Sequence, residues 1–184
     1  MRTLVVGAAI VDLMMKVERL PKSGEDIPCK ETKTVVGGCA YNVANTLRNL
    51  NCEHDLCVPV GSGSFADIIR RGMKEKGYEP MIEEPGEDNG YCLSLVEADG
   101  ERTFITNRNG SLWKENIEHV NFDKIKEAKI LSLASIFNCP LLDGKTLEKI
   151  FSFAKEHGMT ITADMIMPRL GETLDDIAGA LQYV

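Results

Sequence analysis

The sequence predicts an α/β protein with a mostly parallel sheet, covered by helices on both faces, and a separate small antiparallel sheet. Residues 3–7 form a short apolar and β-branched run, which is typical of a strand buried on both faces. Strands and amphipathic helices alternate in the last third of the chain, as they do in right-handed βαβ units. Two other segments have the pattern of hairpins and do not share this alternation.

The first half of the chain alternates between these two kinds of sheet. Residues 14–36 mix turn residues with Thr, Lys and Val, which favours two partly exposed strands. A glycine pair follows, and apolar residues then recur at i, i+4 and i+7, which indicates a helix. That apolar face consists of Val43, Leu47 and Leu50. Residues 55–60 are the next predicted strand, and Ser64 begins an S-x-x-D pattern in which its hydroxyl caps a second helix.

The second half contains a hairpin and then a simpler alternation. The dipeptide Asp99-Gly100 tolerates the positive φ of a tight turn, so it predicts a β-hairpin between residues 91–96 and 102–107. Predicted strands then alternate with predicted helices to the end of the chain. These segments are strands 129–135 and 159–163, helices 146–156 and 173–182, and a strand start at 183–184.

Composition restricts the function classes. Lys and Arg number 21 against 28 Asp and Glu, which gives a net charge of −7 and argues against a nucleic-acid-binding surface. No apolar run approaches the roughly 18 residues that a membrane span needs. The six cysteines contain no C-x-x-C pair, so neither a zinc site nor a disulfide framework is predicted. We therefore expect free thiols, no metal site in this chain, and a cytoplasmic location.

The most specific segment is GGCAYNVA at residues 37–44. Gly37 and Gly38 lack a Cβ, so the backbone can approach a ligand closely, and the N–H groups of the following helix can donate to its oxygens. Asn42 adds a side chain with both a donor and an acceptor, which suits a ligand rich in hydroxyls. A strand-to-helix turn with an incidental asparagine explains the same residues, and both interpretations stay open.

Asp12 is the second candidate, because it lies just past the end of the first predicted strand. Ligands of open α/β sheets bind outside the carboxyl ends of the strands, and a carboxylate there can accept hydrogen bonds from two hydroxyls of a polyol. An aspartate that only solvates the turn is the alternative. Arg108 follows the second hairpin strand and either faces the ligand or lies on a solvated sheet edge.

Residues 61–66, GSGSFA, match the G-x-G-x-x-A dinucleotide fingerprint, which makes an NAD(P)-dependent oxidoreductase that uses Gly61 to Ala66 an alternative function. Glu83 or Glu84 lies about 20 residues further on, as that fingerprint requires. Residues 79–85 are nevertheless short and bounded by prolines, which is a poor pattern for a core strand. A third hypothesis is a non-catalytic protein that dimerises through the exposed edges of the small sheet.

The order of these features resembles the N-terminal portion of the ribokinase-like (PfkB) carbohydrate kinases. A first strand leads to Asp12, then to P-x-x-G-E at 21–25, G-G-x-x-x-N-x-A at 37–44 and D-G-E-R-T-F at 99–104. The resemblance implies a ribokinase-like three-layer α/β/α sandwich with a β-sheet lid. It also implies phosphoryl transfer from ATP, with Mg²⁺, to a hydroxyl of a sugar or nucleoside.

The resemblance also implies roles for particular residues. The implied substrate-binding residues are Asp12, Gly37, Gly38, Asn42 and Arg108. Asp164 and Arg169 are implied on the phosphate side, although Ile166 stands where the family has an asparagine and Arg169 lies one position late.

The sequence departs from the family in its catalytic motif. The catalytic aspartate of the family lies in a late G-A-G-D motif, and this sequence has none. We therefore expect one incomplete α/β domain over residues 1–184, with lid segments at about 14–36 and 90–107 and without the C-terminal part of the sheet. We expect it to hold the sugar, to contain no catalytic base and to be inactive alone. The expected partners are a sugar or nucleoside and a possible second copy bound through the lid, with no nucleic acid and no membrane.

Overall fold

The computed structural model describes residues 1–107, 127–134 and 144–163. The strands in these ranges are β1 (Arg2–Val6), β2 (Ile10–Lys16), β3 (Glu31–Gly37), β4 (His54–Cys57), β5 (Pro59–Val60), β6 (Ile82–Glu83), β7 (Tyr91–Val96), β8 (Arg102–Thr106), β9 (Ala128–Leu133) and β10 (Thr160–Ala163). The helices are α1 (Cys39–Asn49), α2 (Ser64–Glu75) and α3 (Gly144–Glu156). None of these helices is long and apolar enough to cross a bilayer. The predicted helix 173–182 and strand start at 183–184 lie outside the described residues.

The main sheet has the strand order β10-β9-β1-β4, and every pairing in it is parallel. Its central strand is buried on both faces. Leu4 and Val6 belong to one apolar cluster with Ile150 of α3, whereas Val5 belongs to the opposite cluster with Ala44 of α1. Because successive side chains of a strand point to opposite faces, helices cover both sides of this sheet. The predicted α/β sandwich is therefore confirmed in the described residues.

The second sheet has the order β3-β2-β7-β8 and is mixed, not antiparallel as the sequence predicted. β2 is antiparallel to β3 and β7 is antiparallel to β8, but β2 and β7 run parallel to each other. The reason lies where these two strands begin. The N–H of Val11, at the start of β2, donates to the carbonyl of Gly90, just before β7, over 3.0 Å. The two strands therefore begin side by side and continue in the same direction.

The two faces of the second sheet have different environments. One face packs against α2, where Val11 shares an apolar cluster with Ile69 and Met73. We call the opposite face the open face. By strand alternation and register it carries Asp12 and Met14 of β2, Lys33 and Val35 of β3, Cys92 and Ser94 of β7, and Phe104 and Thr106 of β8. The candidate ligand residue Asp12 thus points away from the helix that supports this sheet.

Local turn chemistry follows the sequence closely in one place. β7 and β8 form the predicted hairpin, with Val96 opposite Arg102, and Gly100 has φ +92° in the connecting turn. The predicted strand at 55–60 is instead divided into β4 and β5. β2 starts at Ile10, four residues before the predicted start of the small sheet.

The start of α2 differs from the sequence prediction. Ser64 forms no capping hydrogen bond. The carboxylate of Asp88 takes that role, because its oxygens accept the N–H groups of Phe65 (3.2 Å) and Ala66 (2.8 Å). A negative charge at this end also complements the helix dipole. The cap therefore comes from a loop more than twenty residues away in the chain.

Replacing Asp88 by alanine should lower the free energy of unfolding by about 1–2 kcal/mol, since two helix N–H groups lose a charged acceptor. Ser64→Ala is the matched control and should change stability by less than about 0.5 kcal/mol. Urea denaturation of both variants measures the difference. If the free energy of unfolding falls equally in the two variants, or falls more in Ser64→Ala, the assignment of Asp88 as the helix cap is contradicted.

Candidate functional site

Asp12 lies on β2 and not in a turn past the first strand, as the sequence had suggested. Its carboxylate covers the Cα of Gly37: a Cβ built on that glycine would lie 1.9 Å from the Asp12 Oδ2 atom. Only a residue without a side chain leaves this space, which explains the first glycine of the pair. The missing side chain of Gly37 on β3 thus leaves the space that the Asp12 carboxylate occupies.

The carboxylate of Asp12 has no hydrogen bond or ion pair to any other described residue. It is half-buried, and this burial raises the pKa of Asp12 above its ordinary value of 3.8. A partly desolvated carboxylate retains its full capacity to accept hydrogen bonds. It is therefore prepared for a ligand that donates them.

The second glycine of the pair begins α1. Gly38 has φ +93°, and a Cβ there would lie 2.4 Å from the carbonyl oxygen of Ala8, in the connection after β1. The Gly38 carbonyl accepts the first helical hydrogen bond from the N–H of Asn42 (3.0 Å). The side chain of Asn42 is exposed in the first turn of the helix. The structure therefore brings Asp12, Gly37 and Gly38 together and places Asn42 one helical turn further on.

Asn89, which sequence reasoning missed, connects the segment after β1 with β5 and with the turn before α2. It is 2% exposed. Its Oδ1 accepts the N–H of Gly61 (2.8 Å), and its Nδ2 donates to the carbonyls of Pro59 (3.2 Å) and Ala9 (3.4 Å). The triplet Asp88-Asn89-Gly90 has the composition of an ordinary turn, so its sequence gives no sign of this buried bridge.

The dinucleotide interpretation of residues 61–66 does not agree with the structure. The N–H groups at the start of α2, which would bind a pyrophosphate, already bond to the carboxylate of Asp88. Glu83, the candidate ribose ligand, forms an ion pair with Arg70 of α2. Arg70 also donates to the carbonyl of Gly61 over 2.6 Å. These contacts make the segment a structural turn.

Arg108, Asp164 and Arg169 lie outside the described residues. In the part of the chain that the structure describes, no group of three or more His, Cys, Asp or Glu side chains has an arrangement that suits a metal ion.

Comparison with known proteins gives the family. A model of the pfkB family of carbohydrate kinases matches residues 2–184, and the chain belongs to this family. The uncharacterized sugar kinase YegV of Escherichia coli is 44% identical over 103 residues, which are 56% of this chain and 32% of that protein. The deoxyribokinase of Salmonella typhi is 26% identical over 161 residues, which are 85% of this chain and 51% of that protein.

A solved structure supports the same fold. Arabidopsis thaliana ribokinase, complexed with ribose and ATP, has a TM-score of 0.73 and 22% identity, with 89% of this chain and 53% of that chain covered. This likeness confirms the ribokinase-like fold that the motif order implied. The chain spans between about a third and a half of the length of the two curated relatives above.

Replacing Asp12 by asparagine should raise the melting temperature of the ligand-free protein near neutral pH. Because burial raises the pKa of Asp12 in the folded state, the ionised carboxylate disfavours folding above that pKa. Below the pKa of the unfolded chain both states hold the proton, and this cost disappears. The gain should therefore shrink as the pH falls from about 7 to about 3.

Thermal unfolding of the wild type and of Asp12→Asn across this pH range tests the prediction. Asp26→Asn is the control, since it removes the same charge from an exposed position. A gain that is equal in both variants would reflect only the net negative charge of the chain. A loss of stability in Asp12→Asn near neutral pH would show that the carboxylate has a stabilising partner in the folded protein, which would contradict this prediction.

Proposed function

We propose that the protein containing this chain transfers a phosphoryl group from ATP to a hydroxyl of a sugar or sugar-like substrate, and that this chain holds the sugar. The observation that carries the proposal is the half-buried carboxylate of Asp12 above Gly37, beside the start of α1, which has no partner among the residues that the structure describes. Membership of the pfkB carbohydrate kinase family supports the reaction class. The relatives named ribokinase and deoxyribokinase support a sugar as the acceptor.

The chain's own residues have distinct roles in this proposal. The Asp12 carboxylate accepts hydrogen bonds from two hydroxyls of the sugar, which fixes the ring in one orientation. Gly37 leaves room for the carboxylate, and Gly38 lets the start of α1 approach the connection after β1. Asn42 supplies a donor and an acceptor from the first turn of that helix. Positioning of the acceptor hydroxyl is a large part of catalysis in phosphoryl transfer.

ATP would supply the phosphoryl group, and Mg²⁺ would neutralise charge on its phosphates. The described residues contain no cluster that suits Mg²⁺, so we assign no residue to the nucleotide side. Arg108 on the substrate side, and Asp164 and Arg169 on the phosphate side, remain predictions. So does the expectation that these 184 residues alone do not turn over ATP.

Dimerisation through the second sheet is a further part of the proposal. Every residue of the edge strand β8 is exposed, including Phe104 (56%) and Ile105 (58%). An exposed strand edge with apolar side chains favours pairing with a second copy. The cytoplasmic location remains a prediction from the cysteine pattern.

Binding of D-ribose, 2-deoxy-D-ribose and D-fructose, measured by isothermal titration calorimetry, tests the sugar site. We expect at least one of these sugars to bind and Asp12→Ala to weaken its binding at least tenfold, because hydrogen bonds to a charged group contribute about 1.5–3 kcal/mol each. Gly37→Ala should weaken binding similarly, since the new methyl group displaces the Asp12 carboxylate, while the protein stays folded.

The matched control is Asp26→Ala, which removes an exposed carboxylate in the turn between β2 and β3. It should leave the affinity unchanged. Binding that survives in both Asp12→Ala and Gly37→Ala would place the sugar elsewhere on the protein. Failure of all three sugars to bind the wild type would reject the proposed substrate class.

A further inference from the structure

The hydroxyl of Ser94 has no hydrogen-bond partner among the described residues. It is the fourth residue of β7 and is 4% exposed, and its Oγ atom is buried with no hydrogen bond. Leaving a buried hydroxyl unsatisfied costs about 1–3 kcal/mol, so such groups are uncommon in folded proteins. A buried, unpaired donor on a candidate ligand-binding face requires an explanation.

The register of the second sheet places Ser94 close to Asp12. Asp12 lies opposite Cys92, and Met14 lies opposite Ser94, in the parallel β2–β7 pair. Ser94 is therefore one diagonal step from Asp12 on the open face, at a Cα separation of about 8 Å from ordinary strand spacing and rise. A single polyol can reach both side chains across this distance.

The hydroxyl of Ser94 lies between two larger neighbours. Met14 stands opposite it on β2, and Phe104 stands opposite it on β8. Methionine is flexible and changes rotamer easily, and Phe104 is 56% exposed and so is little restrained by packing. Because the Ser94 hydroxyl is buried, these neighbouring side chains must rotate for a ligand to reach it.

Two other polar groups in the cross-strand row of Asp12 are already engaged with each other. The hydroxyl of Thr106 donates to the Sγ atom of Cys92 over 3.3 Å. Lys33 of β3, opposite Met14, is exposed to solvent. Among the described residues of the two cross-strand rows that contain Asp12 and Ser94, these two thus combine burial with unused hydrogen-bonding capacity. One is an acceptor only, and the other can donate and accept.

We propose that Ser94 determines substrate specificity by forming a hydrogen bond with a second polar group of the sugar, next to the hydroxyls held by Asp12. The inference rests on the proposed function and narrows its substrate class to sugars with a hydroxyl or ring oxygen at that position. An analogue without that group leaves the Ser94 hydroxyl unpaired in the complex. Sites built to pair a substrate polar group reject such analogues strongly.

The variant Ser94→Ala separates this role from a structural one. It removes the unsatisfied hydroxyl, so the melting temperature of the ligand-free protein should stay the same or rise. It should weaken binding of the preferred sugar among D-ribose, 2-deoxy-D-ribose and D-fructose about 3- to 12-fold, the value of one neutral hydrogen bond. Ser94→Thr keeps the hydroxyl and should retain more of the affinity than Ser94→Ala.

Thr103→Ala is the control, because it removes a hydroxyl from the other face of the same sheet. It should leave the affinity unchanged. Sugar binding that depends on Asp12 but is the same in the wild type and Ser94→Ala would overturn this inference and leave the proposed function in place. A Ser94→Ala protein with a lower melting temperature would also overturn it, since the hydroxyl would then have a structural partner. Failure of all three sugars to bind the wild type would overturn both proposals.

Discussion

The geometry of the candidate site depends on the hydrogen bonds of one buried side-chain amide, that of Asn89. Its three hydrogen bonds connect the start of β5, the turn before α2 and the connection between β1 and β2. Asp12 lies only three residues beyond Ala9, whose carbonyl accepts one of these hydrogen bonds. Because the bridge is buried, losing any one bond would leave a polar group unsatisfied, which makes the junction between the two sheets well defined.

Two features of the open face of the second sheet lower the stability of the ligand-free protein. Burial raises the pKa of the Asp12 carboxyl, and the hydroxyl of Ser94 has no hydrogen-bond partner in the part of the chain that the structure describes. Both features disfavour the ligand-free fold slightly and favour a ligand that brings hydroxyls. At Asp12 the site is already organised before the ligand binds, so less of the binding free energy is lost to rearrangement there. Gly37 belongs to the same arrangement, because it gives the carboxylate its space.

Sequence patterns predicted the local elements well and the non-local contacts poorly. The pattern of apolar residues was sufficient to predict β1, α1 and α2. The dipeptide Asp99-Gly100 was sufficient to predict the β7–β8 hairpin. The parallel pairing of β2 with β7 depends on where distant segments start, which no local pattern records. Ser64 had the right local chemistry for a helix cap, but the stronger acceptor, Asp88, comes from a loop. Asp12 and the glycine pair were found from residue type and motif order, whereas Ser94 and Asn89 were visible only through burial and register.

The most direct test of the account is a crystal structure of the protein with bound D-ribose, or with whichever of the three test sugars binds most tightly. We predict two sugar hydroxyls within hydrogen-bonding distance, about 2.5–3.0 Å, of the Asp12 carboxylate. We also predict the sugar on the open face of the second sheet beside Gly37 and the start of α1. A sugar bound elsewhere, or an Asp12 side chain turned away from it, would contradict the account.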